Sequence, residues 1–205
     1  MRHIDRNPAP QEFVDLVNGD NRPCNWDAFR SNYHDLYRLI RDLIWADQKG
    51  VSGYTELPLD KDNGIHIDHF RKKGMFHDEE FHWENFVVDE RNNDQYGAGH
   101  KDKVVKTAEI YDDLLSPVLD RPEEYFTYME DGTIIPRRTI EEKMQKRAQV
   151  TREVFNLNHE YLKNRRNGLI ALFRSYRKGG MSKDDVYATL ATAGFFSLID
   201  YVYEE

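Results

Sequence analysis

The chain has 205 residues, a formal net charge of −8, 39% hydrophobic residues and 13% aromatic residues. These fractions are typical of a folded protein with one sizeable core, and they exclude an intrinsically disordered chain. The acidic balance disfavours binding to nucleic acid by general charge attraction. A nucleic-acid substrate would therefore require local basic patches or a partner protein.

The first 105 residues predict an arm, a helix and a small β unit. Residues 1–24 are polar and predict an extended arm with one short helical piece around residues 12–17. Asn25 as N-cap and Gly50 as stop predict one amphipathic helix between them. Residues 51–105 predict strand, long loop, strand and helix. The predicted strands are Tyr54-Thr55, a run over residues 65–70 and Phe86-Val87-Val88, and the helix is expected to begin near Arg91.

The second half of the chain predicts further helices and one hairpin. Residues 104–118 predict a helix, and residues 124–136 predict a β-hairpin around an Asp131-Gly132 turn. Three more helices follow. Thr139 with Glu142 is expected to cap the first, which runs to about Phe155. Asn158 is expected to cap the second, which Gly179-Gly180 stops. Ser182 with Asp185 is expected to cap the last. We therefore predict an α+β fold that is mostly helical.

Cysteine content and hydrophobic patterning indicate the cellular compartment. Cys24 is the single cysteine, so neither an intrachain disulfide nor a Cys-rich zinc site is possible, which fits a reducing cytoplasm. Residues 1–20 lack the apolar run of a signal peptide, and no apolar stretch reaches 18 residues. We expect a cytoplasmic protein with no membrane partner.

An Asp-His pair at the end of a strand is the strongest chemical signal. Hydrolysis of a phosphodiester needs a base, a cation on the phosphate and stabilisation of the leaving oxygen. His69 suits the base because its ordinary pKa lies near neutrality. Asp68 points the opposite way on the strand and suits a hard cation such as Mg²⁺. Asn85 could accept the other ring N–H of His69, and Asn93 or Asp94 could supply a second metal ligand.

This order of residues resembles the HNH endonuclease motif on a ββα-metal fold. The resemblance is closer to the PtuB type, the HNH effectors of Septu anti-phage systems that also occur in some retron systems, and it covers roughly residues 25–175. The segments that carry it are Tyr54-Thr55-Glu56, residues 67–73, residues 114–117, residues 120–126 with Asp131-Gly132, and Asn156-Leu157-Asn158 with Leu162 and Arg165.

The resemblance implies a role for each residue of the motif. His69 is the expected general base, Asp68 a metal ligand and Asn85 the residue that orients the histidine. The last ligand falls at Asn93 or Asp94, and the implied cofactor is Mg²⁺ or another divalent cation. Phosphate contacts are expected from Arg71-Lys72-Lys73, with His66, His100 and Lys101 as accessory candidates.

The chain departs from this family in its zinc positions. Many relatives carry two CxxC pairs that bind structural zinc, and the corresponding positions here are Ser52, Thr55, Glu90 and Asn93. No structural zinc is therefore expected, and packing must hold the hairpin instead. The family's common proline after His-Phe-Arg is Lys72 here.

The resulting expectation is an embedded ββα-metal unit in a helical scaffold. Residues 1–24 form the arm, 25–105 the helix and HNH module, and 106–205 a β-hairpin and helical region, all within one compact domain. The implied activity is metal-dependent hydrolysis of DNA or RNA in an anti-phage complex. Implied partners are a PtuA-type ATPase and, in the retron case, a reverse transcriptase with its RNA–DNA hybrid. The alternative is a non-catalytic interaction subunit with a degenerate HNH fold.

Overall fold

The computed structural model describes residues 1–204, which form eight helices and two antiparallel two-stranded sheets. This confirms the predicted α+β class with mostly helical content. The helices are α1 Gln11–Asn18, α2 Trp26–Asn32, α3 His34–Asp47, α4 Gly97–Val104, α5 Glu142–Val154, α6 Glu160–Lys178, α7 Lys183–Leu190 and α8 Phe196–Glu204. The strands are β1 Ile65–His69, β2 Phe86–Glu90, β3 Phe126–Tyr128 and β4 Ile134–Pro136.

The β1–β2 hairpin separates two hydrophobic clusters. Side chains alternate across a strand, so each face of the hairpin buries a different set. One face packs on α1, α2 and α3 through Ile65, Ile67, Phe86 and Val88. The opposite face carries Val87, which belongs to the larger cluster formed with the C-terminal half of the chain. The hairpin thus packs against a hydrophobic cluster on each face.

The N-terminal helices follow the sequence prediction in part. The helical piece around residues 12–17 is α1, and Asn25 caps α2 by accepting a hydrogen bond from the N–H of Ala28 at 2.9 Å. The single helix predicted between Asn25 and Gly50 is wrong, because Tyr33 leaves helical geometry (φ −123°, ψ 48°) and separates α2 from α3. Gly50 follows the end of α3 at φ +76°, as its stop role requires.

Two predicted elements in the middle of the chain are corrected. Tyr54-Thr55 is a turn, not a strand, because the Ser52 hydroxyl accepts hydrogen bonds from the N–H groups of both residues. The stretch predicted helical over residues 104–118 contains a short 3₁₀ segment, Ala108–Asp113, between irregular regions. At Tyr54-Thr55, local hydrogen bonding by Ser52 therefore outweighs the apolar pattern.

The helix expected near Arg91 begins six residues later, at Gly97. Gly97 has φ +66°, and the buried carboxylate of Asp89 accepts a hydrogen bond from the N–H of Ala98 at 2.7 Å. A β-carbon on Gly97 would lie 2.4 Å from that carboxylate. The helix start is therefore set by a contact between α4 and β2, which local sequence does not encode.

The C-terminal half contains the predicted hairpin and helices with different caps. Gly132 lies in the β3–β4 turn at φ +80°, and Ser182 exchanges hydrogen bonds with Asp185 at the start of α7. Thr139 does not cap α5, and the α6 cap is His159 because the Asn158 side chain bonds to the backbone of Ile134. The last predicted helix is divided into α7 and α8, where the backbone turns at Gly194 (φ +72°).

The longest helix, α6, has 19 residues and a charged composition. Within residues 1–204, no helix is both long and apolar enough to cross a membrane.

A buried arginine links the β3–β4 turn to the start of α6. Arg166 is 3% exposed and donates hydrogen bonds to the carbonyl oxygens of Gly132 at 2.6 Å and Leu157 at 2.7 Å. Burial lowers the pKa of this guanidinium below its ordinary value, although it stays charged. Truncation of the Arg166 side chain would leave these two carbonyl oxygens without their hydrogen-bond donor.

We expect Arg166→Ala to lower the free energy of unfolding by about 3 kcal/mol, because buried hydrogen bonds to a charged group are lost together. Chemical denaturation of the two proteins measures this difference. The neighbouring Arg165 is exposed, so Arg165→Ala is a matched control with an expected change below about 0.5 kcal/mol. Equal losses for the two variants would contradict the assigned role of Arg166.

Candidate functional site

The Asp-His pair lies at the end of β1, where the two side chains leave on opposite faces of the hairpin. In the antiparallel register Asp68 faces Val87 and His69 faces Phe86. Asp68 therefore points toward α4, and His69 points toward the aromatic cluster of α2 and β2. The alternation of side chains along a strand had predicted that these two neighbours point to opposite faces.

Both side chains reach one cleft of about 550 Å³ that opens between α2 and the segment after β1. The ionisable side chains on its wall are the cations Arg30, Lys72 and Lys73, the carboxylates Asp27, Asp68 and Asp102, and the imidazoles of His66 and His69. The cleft therefore combines a buried imidazole with three cations and three carboxylates. That charged lining suits a polar ligand more than an apolar one.

The imidazole of His69 is held in one tautomer. Its Nε2 lies 2.9 Å from the carbonyl oxygen of Glu80, and a carbonyl can only accept, so Nε2 carries the proton in the neutral ring. Trp26 and Phe86 pack edge-on against the ring, with centroid distances of 4.7 and 5.3 Å. Burial lowers the pKa of His69 below 6.5. At neutral pH the ring is thus uncharged, with Nδ1 as its basic nitrogen.

One oxygen of the Asp68 carboxylate is occupied by two protein donors. Its Oδ2 accepts hydrogen bonds from the Lys101 ammonium at 2.6 Å and from the Tyr54 hydroxyl at 2.5 Å. Lys101 is fully buried, and its Nζ also donates to the carbonyl oxygens of His69 at 2.6 Å and Phe70 at 3.4 Å. The amine of α4 is therefore surrounded by oxygens at the end of β1. Burial, followed by the charge of Asp68, raises the pKa of Tyr54 well above its ordinary value.

A second ion pair lies beside the first. Asp102 Oδ1 is 3.6 Å from the Lys101 ammonium and 3.8 Å from the Lys72 ammonium. Two carboxylates, those of Asp68 and Asp102, are thus matched by two ammonium groups. The cluster is electrically neutral without any added ion.

The expected divalent cation does not fit this arrangement. Mg²⁺ needs oxygen ligands at about 2.0–2.1 Å in octahedral geometry, and the Asp68 oxygen that faces α4 already contacts an ammonium. A divalent ion about 4 Å from that ammonium would be repelled by about 8 kcal/mol at an effective dielectric constant of about 20. In residues 1–204, no group of three or more His, Cys, Asp or Glu side chains is placed to hold a metal ion.

Asn85 contacts the backbone of the loop after β1 and makes no hydrogen bond to His69. Its Oδ1 accepts from the N–H of Arg71 at 2.7 Å, and its Nδ2 donates to the carbonyls of Arg71 and Glu79 at 3.0 and 3.1 Å. The proposed direct contact with the imidazole is corrected, since Glu80 takes the ring N–H instead. Asn85 fixes the loop that presents the Glu80 carbonyl, so it acts on His69 only indirectly.

Asn93 and Asp94 do not contact the Asp-His pair. Asn93 Nδ2 donates to Glu90 at 2.8 Å, and its Oδ1 accepts from the N–H of Gln95. Asp94 is exposed and lies 3.5 Å from the Lys103 ammonium. The helix-borne position opposite Asp68 is filled by Lys101. The expectation that Asn93 or Asp94 completes a metal site with Asp68 is therefore not met by the geometry.

The predicted phosphate patch divides between two surfaces. Arg71 pairs with Glu79 at 2.8 Å and does not line the cleft. Lys72 lines it, but its ammonium donates to the carbonyl oxygens of Asp102 and Val105 at the end of α4. Lys73 lines it and pairs with the exposed carboxylate of Asp27 at 3.0 Å. Lys73 is the residue of this run that is freest to meet an incoming phosphate.

The two accessory histidines lie in different places, one on the cleft and one away from it. His66 lines the cleft on the same strand face as Asp68, and its Nδ1 is buried without a hydrogen-bond partner in the described chain. His100 points away from the cleft, since its Nδ1 lies 2.9 Å from the carbonyl oxygen of Val154. A phosphate contact through His100 is therefore incompatible with the packing of α4 on α5.

Local hydrogen bonds join Ser52 to Thr55 and Glu90 to Asn93. The Ser52 hydroxyl accepts from the N–H of Thr55 at 3.1 Å, and the Glu90 carboxylate accepts from Asn93 at 2.8 Å. These contacts close the two turns.

Three contributors to the site were not anticipated from the sequence. Trp26 packs on His69, Tyr54 binds Asp68, and the Arg30 side chain lines the cleft without a hydrogen bond or ion pair to the rest of residues 1–204. Lys101 was considered only as an accessory residue. Its distance of 33 residues from Asp68 gave no local signal for an ion pair.

Comparison with known proteins adds no assignment: no protein-family model matches the chain, and no curated protein matches it significantly.

The lowered pKa of His69 gives a testable pH dependence. The unfolded chain binds a proton near pH 6.5, whereas the folded chain does so only at lower pH, so the free energy of unfolding falls as pH falls through this window. We expect His69→Gln, whose side chain can also donate to Glu80, to lose part of that dependence.

Urea denaturation of both proteins at about pH 7.5 and about pH 5.5 measures the difference. His34→Gln is the matched control, because the His34 side chain is 59% exposed. If His69→Gln and wild type lose the same stability on acidification, the environment described for His69 is incorrect.

Proposed function

We propose that this chain is a nuclease that hydrolyses phosphodiester bonds of nucleic acid, with His69 as the general base. The observation that carries the proposal is the state of the imidazole: neutral at pH 7, fixed through Nε2 by Glu80, and positioned on a cleft whose charged lining includes the cations Arg30 and Lys73. A base with one ring nitrogen anchored and the other available is suited to take a proton from water.

The cations at the cleft determine how phosphate would be held. Arg30 and Lys73 lie on the same wall as His69, and neither is buried. They would neutralise phosphate charge during hydrolysis. Because Lys101 takes the Asp68 carboxylate, the proposed chemistry runs through His69 and these two cations. We assign no step to a metal at Asp68.

The sequence resemblance extends the proposal to a biological role. A hairpin followed by a helix, with Asp68-His69 on its first strand, is the order found in HNH endonucleases of the PtuB type. The implied role is the effector of a Septu or retron anti-phage complex, with a PtuA-type ATPase as partner. The net charge of −8 supports a partner, because an acidic nuclease repels bulk nucleic acid until the partner presents it.

One observation favours the non-catalytic alternative. The Lys101 ammonium closes the Asp68 side of the pair, so the metal chemistry of an HNH enzyme has no obvious place here. A subunit that kept the fold and lost the reaction would show this arrangement. The two candidates differ in a single measurable property, which is cleavage that depends on His69.

We expect the chain, purified with the products of its neighbouring genes, to cleave DNA or RNA, and we expect His69→Ala to lower the rate at least about a hundredfold. His77→Ala is the matched control because His77 is exposed on the loop that follows β1. Cleavage of both nucleic acids is followed on gels with each variant.

The pH profile separates a base from a structural histidine. A general base with a lowered pKa gives an acidic limb below pH 6.5, and that limb must disappear with His69. Unchanged cleavage in His69→Ala would reject the proposed base. Absence of cleavage in the wild-type complex, with intact assembly, would favour the non-catalytic subunit.

A further inference from the structure

We infer that the Lys101 ammonium is the resident cation of the β1–β2–α4 unit and excludes a divalent metal ion from Asp68. The inference deepens the proposed function, on which it rests only for the identity of the site. The sequence resemblance implies a metal ion that would join Asp68 to Asn93 or Asp94. Here a covalently attached cation contacts Asp68 instead.

The coordination of Nζ supports this reading. An ammonium has three N–H donors, and the oxygens of Asp68, His69 and Phe70 lie within hydrogen-bonding distance at 2.6, 2.6 and 3.4 Å. One is a carboxylate and two are backbone carbonyls, the types of oxygen that hard cations prefer. Lys101 thus contacts the Asp68 Oδ2 atom and two backbone carbonyl oxygens at the end of β1.

The surroundings hold the ammonium in place. Lys101 is fully buried, so its amine cannot move aside into solvent when an ion arrives. The Tyr54 hydroxyl shares the same Asp68 oxygen, and the Tyr54 ring centroid lies 5.9 Å from Nζ. An aromatic face at this distance favours a cation. A metal on this oxygen would have to displace two buried donors.

The neighbouring charges also disfavour a divalent ion. Asp102 is the other carboxylate at this end of the cleft, and it lies within 4 Å of both Lys101 and Lys72. Adding two positive charges to a balanced set of two carboxylates and two ammonium groups would leave an uncompensated excess. Removal of the Lys101 ammonium would reverse this, leaving Asp68 buried without its cation.

The test compares metal binding by wild type and Lys101→Ala, without nucleic acid. Calorimetric titration with MgCl₂ and MnCl₂ measures binding, and thermal unfolding with either salt or EDTA measures its effect on stability. We expect no saturable binding and no change of melting temperature for wild type. Lys101→Ala should bind Mn²⁺. A Mn²⁺ concentration of about a hundred times its Kd should raise the melting temperature of this variant by roughly 5–10 °C over its value in EDTA.

Two further variants locate the effect. Lys103→Ala removes an exposed lysine from the same helix and should behave as wild type. Adding Asp68→Asn to Lys101→Ala should abolish the gained Mn²⁺ binding, because the ligand carboxylate is lost. Together they assign the gained binding to the Asp68 oxygen and not to a general change of charge.

Two results would overturn the inference. One is saturable Mg²⁺ or Mn²⁺ binding by wild type that raises its melting temperature and is lost in Asp68→Asn. The other is a folded Lys101→Ala whose melting temperature is insensitive to Mn²⁺. The wild-type titration needs no variant, so the inference is tested even where Lys101→Ala does not fold. Because no substrate is used, an inactive complex would reject the proposed nuclease and leave this result intact.

Discussion

The ion pair between Lys101 and Asp68 is the contact on which the rest of the site depends. It joins α4 to the end of β1 at 2.6 Å, with both side chains buried. Taking two charges out of water is costly, and the attraction repays that cost only when the remaining donors and acceptors are also satisfied. The two backbone carbonyls satisfy the remaining donors of the ammonium, and Tyr54 adds a second donor to the Asp68 Oδ2 atom. Loss of either charged partner would leave the other buried alone, so α4 and β1 depend on each other.

The β1–β2 hairpin remains ordered with only two strands because other parts of the chain cover and brace it. An isolated two-stranded sheet is marginal in water, and this one is covered on both faces by separate hydrophobic clusters. The turns at residues 52–55 and 90–93 are closed by hydrogen bonds of Ser52 and Glu90, and Lys101 joins α4 to β1. Every connection is made by side chains of the chain itself. If Lys101 is the resident cation, the order of this unit does not vary with the supply of metal ions.

Sequence patterns predicted those parts of the site that local periodicity controls. The alternation of β1 correctly placed Asp68 and His69 on opposite faces, and the hairpin at Asp131-Gly132 follows from its turn chemistry. The start of α4 was missed because a distant carboxylate, Asp89, caps it. That shift determines which residue of α4 meets Asp68. The identity of the cation could therefore not be predicted, although Lys101 was visible as an accessory candidate.

The two halves of the Asp-His pair have opposite chemical states, and this restricts any reaction in the cleft. Asp68 is engaged by two buried donors, whereas His69 is neutral and has one ring nitrogen without a protein partner in the described chain. If Lys101 is the resident cation, a reaction here could use His69 for proton transfer but could not use Asp68 and a metal for charge neutralisation. A phosphate in the cleft would meet Arg30 and Lys73 instead, from the α2 side. Those exposed cations are screened by solvent, so binding through them should weaken with salt more than binding at a buried metal would.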